Sequence, residues 1–151
     1  MRRGLEGVLE TPSLAAYDEA VKTTCRYHIT LASDHLAAAR SSKGPHWRTR
    51  VSRAYYAAYA ASRAVRFYVT GGFSSEVEDH KKVAELPDDF PGLADWNDAL
   101  TQMRHDRNLA DYDAWPDCRE KLNKPPLDTF DLASRFVQEA KRYLRARGVT
   151  V

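Results

Sequence analysis

The chain has 151 residues, which suits one domain, and its 43% hydrophobic and 29% charged residues favour a folded globule over a disordered chain. A formal net charge of +2 is too small to argue by itself for a nucleic-acid partner. A mean hydropathy of −0.60, with no apolar run of spanning length, predicts no membrane segment.

Residues 1–10 show little periodicity and are expected to fray. Met1-Arg2-Arg3-Gly4 is basic but no apolar stretch follows, so no signal peptide is expected and the cytoplasm is the expected compartment. Cys25 and Cys118 stand in no metal or redox spacing and are expected as buried free thiols. No zinc-type, carboxylate-pair, Gly-rich or Walker motif is present, so neither metal nor cofactor is expected.

Thr11-Pro12 reads as a helix start, a hydroxyl cap followed by a proline in the first turn. Leu14, Tyr17, Val21, Cys25, His28, Leu31 and His35 then mark one face, with the two histidines read as core residues, and Ser41-Ser42-Lys43-Gly44-Pro45 ends the helix. A second helix is expected over 47–69, terminated by Gly71-Gly72. Its stripe is Val51, Tyr55, Ala58, Ser62, Val65 and Val69, and its many alanines permit close approach of more than one neighbour. Arg48, Arg50, Arg53, Arg63 and Arg66 cluster on this helix, most simply as a solvated face. Residues 74–79 read as a loop and 80–86 as a short helix stopped by Pro87. A third long helix is expected from Pro91 to about Ala114, a polar connection over 117–126, and a last helix capped at Asp128 or Thr129 and closed by Gly148. No stretch alternates with period two, so the fold class expected is all-α, a single domain over 1–151 built as an antiparallel up-and-down bundle of four long helices plus a short one. Trp47, Trp96 and Trp115 are read as packing residues.

The third long helix carries the most informative stretch. Leu93, Trp96, Leu100 and Met103 recur at three- and four-residue steps, and the next step reaches Arg107, then Ala110. A stripe of inward apolar side chains thus delivers a guanidinium, which is costly to bury without a partner. Asp111 lies one turn on, with Arg104, Asn108 and Tyr112 on adjoining strips. Such a cluster is either an internal ion-pair lock or a site opening onto a cleft or interface.

Two motifs stand on two helices, Ser52-Arg53-Ala54-Tyr55-Tyr56-Ala57-Ala58-Tyr59 and Arg107-Asn108-Leu109-Ala110-Asp111-Tyr112-Asp113, with His80-Lys81-Lys82-Val83 between them. In order and spacing, over roughly residues 14–147, this resembles the HEPN superfamily of small helical bundles, in the branch with an SRxYYA-like second helix and an R-x-x-A-D-Y motif. The resemblance implies a bundle of four or five helices that forms a homodimer, two motif copies meeting across the dimer cleft. It also implies an RNA-related role, as the metal-independent endoribonuclease toxin of a toxin–antitoxin or defence system, often encoded beside a small nucleotidyltransferase antitoxin. The family's catalytic motif is an arginine followed, after four to six residues, by a histidine. Here no histidine stands at that distance from Arg104 or Arg107; Arg40 and His46 fit the spacing but straddle the Ser-Ser-Lys-Gly-Pro turn.

Metal-free RNA cleavage needs a base, an acid and a cation for the phosphorane charge. Arg107 suits the cation's part through forked phosphate contact. Asp111 would be a base only if its pKa were raised, and a neighbouring arginine lowers it. Tyr112 has a reference pKa of about 10. The proton-transfer half is therefore missing unless folding brings in His80 or His105. The candidate catalytic residues are Arg107, Asp111 and Tyr112, and the candidate RNA- or nucleotide-binding residues are Arg53, Tyr56, His80, Arg104 and Asn108. Three readings compete: a ribonuclease, a non-catalytic bundle that binds RNA, a nucleotide or a nucleotidyltransferase, and a bundle in which Arg107 and Asp111 only lock helices together.

Overall fold

A computed structural model describes residues 11–72 and 80–151; the expected frayed N-terminus and the loop at 74–79 lie outside the described residues. Among the described residues the regular structure is all helical. The long elements are α1 (Thr11–Ser41), α2 (Trp47–Thr70), α3 (Leu93–Tyr112) and α4 (Pro126–Arg145), with 3-10 turns at Gly44–His46 and Pro116–Lys121. Among the described residues no helix is long and apolar enough to cross a membrane.

Helix α2 is the central element, packed against α1, α3 and α4. Twelve of its residues are buried, among them Ala54, Ala57, Ala58, Ala60, Ala61 and Ala64. These alanines are good helix formers and their small side chains let neighbouring backbones come close. Larger side chains fill the space between helices. Tyr55, Leu100, Phe136 and Leu144 are fully enclosed, each contributing about 1.5–3 kcal/mol relative to exposure. The Phe136 ring meets Phe90 at 5.8 Å and Trp96 at 5.1 Å, joining α4 to α3 and the segment before it. Helix α2 stops where Gly71 turns left-handed at φ 68° and returns its N–H to the Phe67 carbonyl at 2.8 Å.

Several boundaries differ from those expected. The short helix over 80–86 is reduced, among the described residues, to helical geometry at His80 and Lys81. Turn bonds then take over, from Glu85 N–H to the Lys82 carbonyl and from Leu86 N–H to that of Ala84. From this compact turn and the residues after it, Val83, Leu86 and Phe90 all enter the core. Helix α4 begins at Pro126 rather than at an Asp128 or Thr129 cap, because proline already has the φ of a first helical residue and needs no N–H there. Thr129 is instead inside the first turn, buried, its hydroxyl bonded to the Pro125 carbonyl at 3.2 Å. Helix α3 begins after Gly92, at φ 69°, two residues later than Pro91.

Cys25 and Cys118 are both buried and both free. Cys25 lies between α1 and α2 with its Sγ 3.4 Å from the Ala64 carbonyl, and burial pushes its thiol up to about 11. Cys118 rests against Arg48.

Candidate functional site

The apolar stripe of α3 runs inward as its periodicity indicates: Leu100 and Met103 are buried, and Ala110 is buried one turn beyond Arg107. The side chain of Arg107 is 13% exposed. Its Nε lies 2.8 Å from Asp111 Oδ2, but off the N–H axis, so the contact is a single-oxygen charge attraction rather than a forked hydrogen-bonded pair. Nη1 donates to Asn108 Oδ1 at 3.0 Å, and Nη2 donates a short bond to the Tyr56 hydroxyl. Aromatic rings surround the cation, with centroids 5.8 Å (Tyr55), 5.2 Å (Tyr56) and 5.1 Å (Tyr112) from its Cζ. Burial by itself lowers the guanidinium's pKa; the Tyr56 hydroxyl and Asp111 more than offset this and hold it above the ordinary arginine value.

The serine and the tyrosines of the α2 motif face this cluster. Ser52 Oγ is 3.4 Å from Asp111 Oδ2, a weak bond. Tyr55 is completely enclosed and its hydroxyl meets His80 Nδ1 at 3.1 Å. Burial drives the Tyr55 phenol well above its usual range, so it keeps its proton. His80 stacks on Tyr59 with centroids 4.2 Å apart and stands 6.0 Å from the Tyr56 ring. The folded chain thus carries His80 to the aromatic wall beside Arg107. His105 goes elsewhere: its Nδ1 meets Asn123 Nδ2 at 3.1 Å, on the connection leading to α4.

A second histidine arrives from α1. The His35 ring lies 5.7 Å from that of Tyr56. Burial, helped by the positive charge of Arg53, holds this imidazole below the ordinary histidine value, with Asp34 acting the other way. Arg53 is itself exposed, and Arg104, half-buried, adds positive potential near Tyr55. Arg107, Asp111, Tyr112, Asn108, Tyr56 and His80 therefore stand in one constellation, with Arg53 and Arg104 on its margins. His35 belongs with them. Its heptad spacing from His28 on α1 placed it on an inner face, but only the packing of α1 on α2 brings it to Tyr56.

Two further polar residues proved more consequential than their sequence context suggested. From Met103 a three-residue step reaches Asp106, and this carboxylate, not Arg107, is the most deeply buried charge of α3 at 1% exposure. It accepts from Asn123 N–H at 2.8 Å, from Asn123 Nδ2 at 2.7 Å and from Lys124 N–H at 3.3 Å. Arg48, expected on a solvated face, instead reaches the end of α3. Its Nη1 donates to the carbonyls of Asp113 at 2.7 Å and Ala110 at 2.9 Å, and Nη2 approaches Cys118 Sγ at 2.8 Å. A cation there satisfies orphan carbonyls and complements the negative end of the helix dipole.

Trp115 departs from its expected packing role: it is 71% exposed, and Tyr112 is 72% exposed. Trp96 does pack, against Phe136. A separate groove beside α2, lined by Arg63, Arg66, Phe67, Lys82, Leu86 and Pro87, shares no residue with the Arg107 cluster. Among the described residues no three His, Cys, Asp or Glu side chains gather as a metal site. Comparison of the chain with protein-family models, with curated proteins and with solved structures gives no match in any of the three.

Proposed function

We propose that this chain is a HEPN-like bundle, its helices running up and down in antiparallel order, whose Arg107 site binds a phosphate of RNA or of a nucleotide. The observation that carries the reading is how the guanidinium is held. An arginine kept only as a helix lock is best satisfied by a forked carboxylate. Arg107 instead meets one oxygen of Asp111 off-axis and rests its two terminal nitrogens on neutral oxygens, from Asn108 and Tyr56. Neutral acceptors are weaker partners than a phosphate, so a phosphate can replace them on the fork.

The proton-transferring group absent from the 107–113 motif has two sources in this reading. His35 and His80 flank Tyr56 at 5.7 and 6.0 Å, and His35 is biased toward its neutral, proton-accepting form. Metal-independent RNA cleavage, as by the toxin half of a toxin–antitoxin or defence pair, is the activity to assay. The resemblance adds a homodimer with two such sites on one cleft, a small nucleotidyltransferase as partner and a cytoplasmic setting.

The competing reading is the structural lock, favoured by the 2.8 Å approach of Arg107 to Asp111. Arg107→Ala separates the two. If the site is a phosphate site, the variant melts close to the parent but loses RNA or nucleotide binding, and Arg107→Lys stays impaired because it restores charge without the fork. If the pair is a lock, Arg107→Ala leaves a partly buried carboxylate unpaired, loses on the order of 3 kcal/mol, and has no binding to lose. Thermal melts and RNA-binding assays on both variants, with cleavage scored in excess EDTA, decide between them. A strongly destabilised Arg107→Ala whose parent binds neither RNA nor nucleotide rejects the phosphate site.

A further inference from the structure

We infer that Tyr112 and Trp115 form a stacking platform for unpaired bases, so that the ligand of the Arg107 site is a single-stranded RNA segment. The inference rests on the phosphate reading and extends it from one anion to a strand.

Three observations converge. Tyr112 and Trp115 are 72% and 71% exposed. A large aromatic ring left so open forgoes most of its burial energy and gives the fold little. The backbone that presents them is nonetheless firmly held. Asp113 N–H returns to the Leu109 carbonyl at 3.1 Å, and the Asp113 carbonyl accepts from Arg48 at 2.7 Å. Trp115 N–H donates to Asp113 Oδ1 at 2.9 Å, and its carbonyl accepts from the buried Cys118 at 3.2 Å. The rings are thus open to solvent on a backbone already fixed, an arrangement that lowers the ordering cost of binding.

The third observation names the occupant. The Tyr112 ring is centred 5.1 Å from the Arg107 guanidinium, so an exposed π-face adjoins the proposed phosphate contact. Of the nearby carboxylates, Asp117 and Asp113 share one ammonium, Lys121, at 3.3 Å and 3.9 Å. Alternating phosphate charge and flat apolar faces is the chemistry of a nucleic-acid strand. Only an unpaired strand can supply those faces, because in a duplex the bases are stacked on one another.

The test is equilibrium binding at fixed moderate salt of a short single-stranded RNA, its duplex, and a strand of the same length with abasic positions. The parent should prefer the single strand over both others. Trp115→Ala should weaken the single strand by roughly 10-fold, within the range for loss of one stacked base, and leave the abasic strand unchanged; Trp115→Phe should recover most of the loss. Tyr112→Ala should likewise weaken the single strand. Trp115 is exposed, so its variants should melt as the parent does; Tyr112→Ala, which gives up one ring contact to Arg107, should melt only slightly below it. If duplex and single strand bind alike, or Trp115→Ala binds as the parent does while Arg107→Ala does not bind, the platform is rejected and the phosphate site stands. If the parent binds none of the three, both fall. If Trp115→Ala dissociates a dimer with RNA binding intact, the rings belong to a second copy and the platform is again rejected.

Discussion

A single residue, Asp106, shows how much one charge can organise here. It is buried to 1% exposure and accepts three bonds from Asn123 and Lys124, two of them from backbone N–H groups. Removing it takes a charged acceptor from three donors, which water can meet only in part because Asn123 is exposed, so Asp106→Ala should cost about 1–3 kcal/mol. Asp106→Asn, which keeps one carbonyl oxygen, should cost less. Urea unfolding of both variants measures this, and equal stability of Asp106→Ala and the parent would show that the bonds contribute nothing net. The stripe on α3 pointed to the position of Arg107 and to its inward direction. It gave no sign of Asp106, one three-residue step from Met103, which lies deeper than Arg107. Depth was decided by the chain crossing above, and the backbone donors of Asn123 and Lys124 are 17 and 18 residues away in sequence.

Among elements, the periodic ones were legible and the short ones were not. Helices α1, α2, α3 and α4 each carry a sustained 3.6-residue pattern, and their ends moved by only a few residues from where glycine, proline and pattern placed them. In the segment 80–86 only His80 and Lys81 are helical and residues 82–84 form a turn, since so few residues hold a helix poorly by themselves. Of the candidate site, Tyr56 was legible because it lies off the main stripe of α2, whereas His35 depended on which face of α1 meets α2. Arg48 was missed for the same reason: from sequence it is one of five arginines, and its partners are carbonyls 61 to 65 positions away. Its role belongs to the element scale, since it closes the end of α3. Arg48→Ala should lower stability by about 1–2 kcal/mol and should open Cys118 to alkylation under native conditions. A thermal melt with mass-spectrometric thiol counting checks both. Full protection of Cys118 in the variant would mean the connection is held without the clasp.

For the whole molecule the decisive feature is the alanine-lined α2 between three neighbours. Ala61 is fully enclosed, so Ala61→Leu must push packed helices apart or force poor rotamers, and a loss of about 1–3 kcal/mol is expected. A differential scanning measurement showing no change would mean that the bundle accommodates extra volume there. The two ties on α3 have a different consequence. Arg48 of α2 fastens one end of the 113–125 connection at Asp113 and Cys118, and Asp106 of α3 fastens the other at Asn123 and Lys124. Neither end can peel away without breaking bonds to a packed helix, α2 at one end and α3 at the other. The last turns of α3, the connection and the opening of α4 should therefore behave as one cooperative unit in native-state fluctuations. Their amides would share a common exchange rate, slower than the ordinary surface position of the connection suggests. Loosening Arg48 or Asp106 would quicken exchange along the entire unit, including the backbone that displays Tyr112 and Trp115.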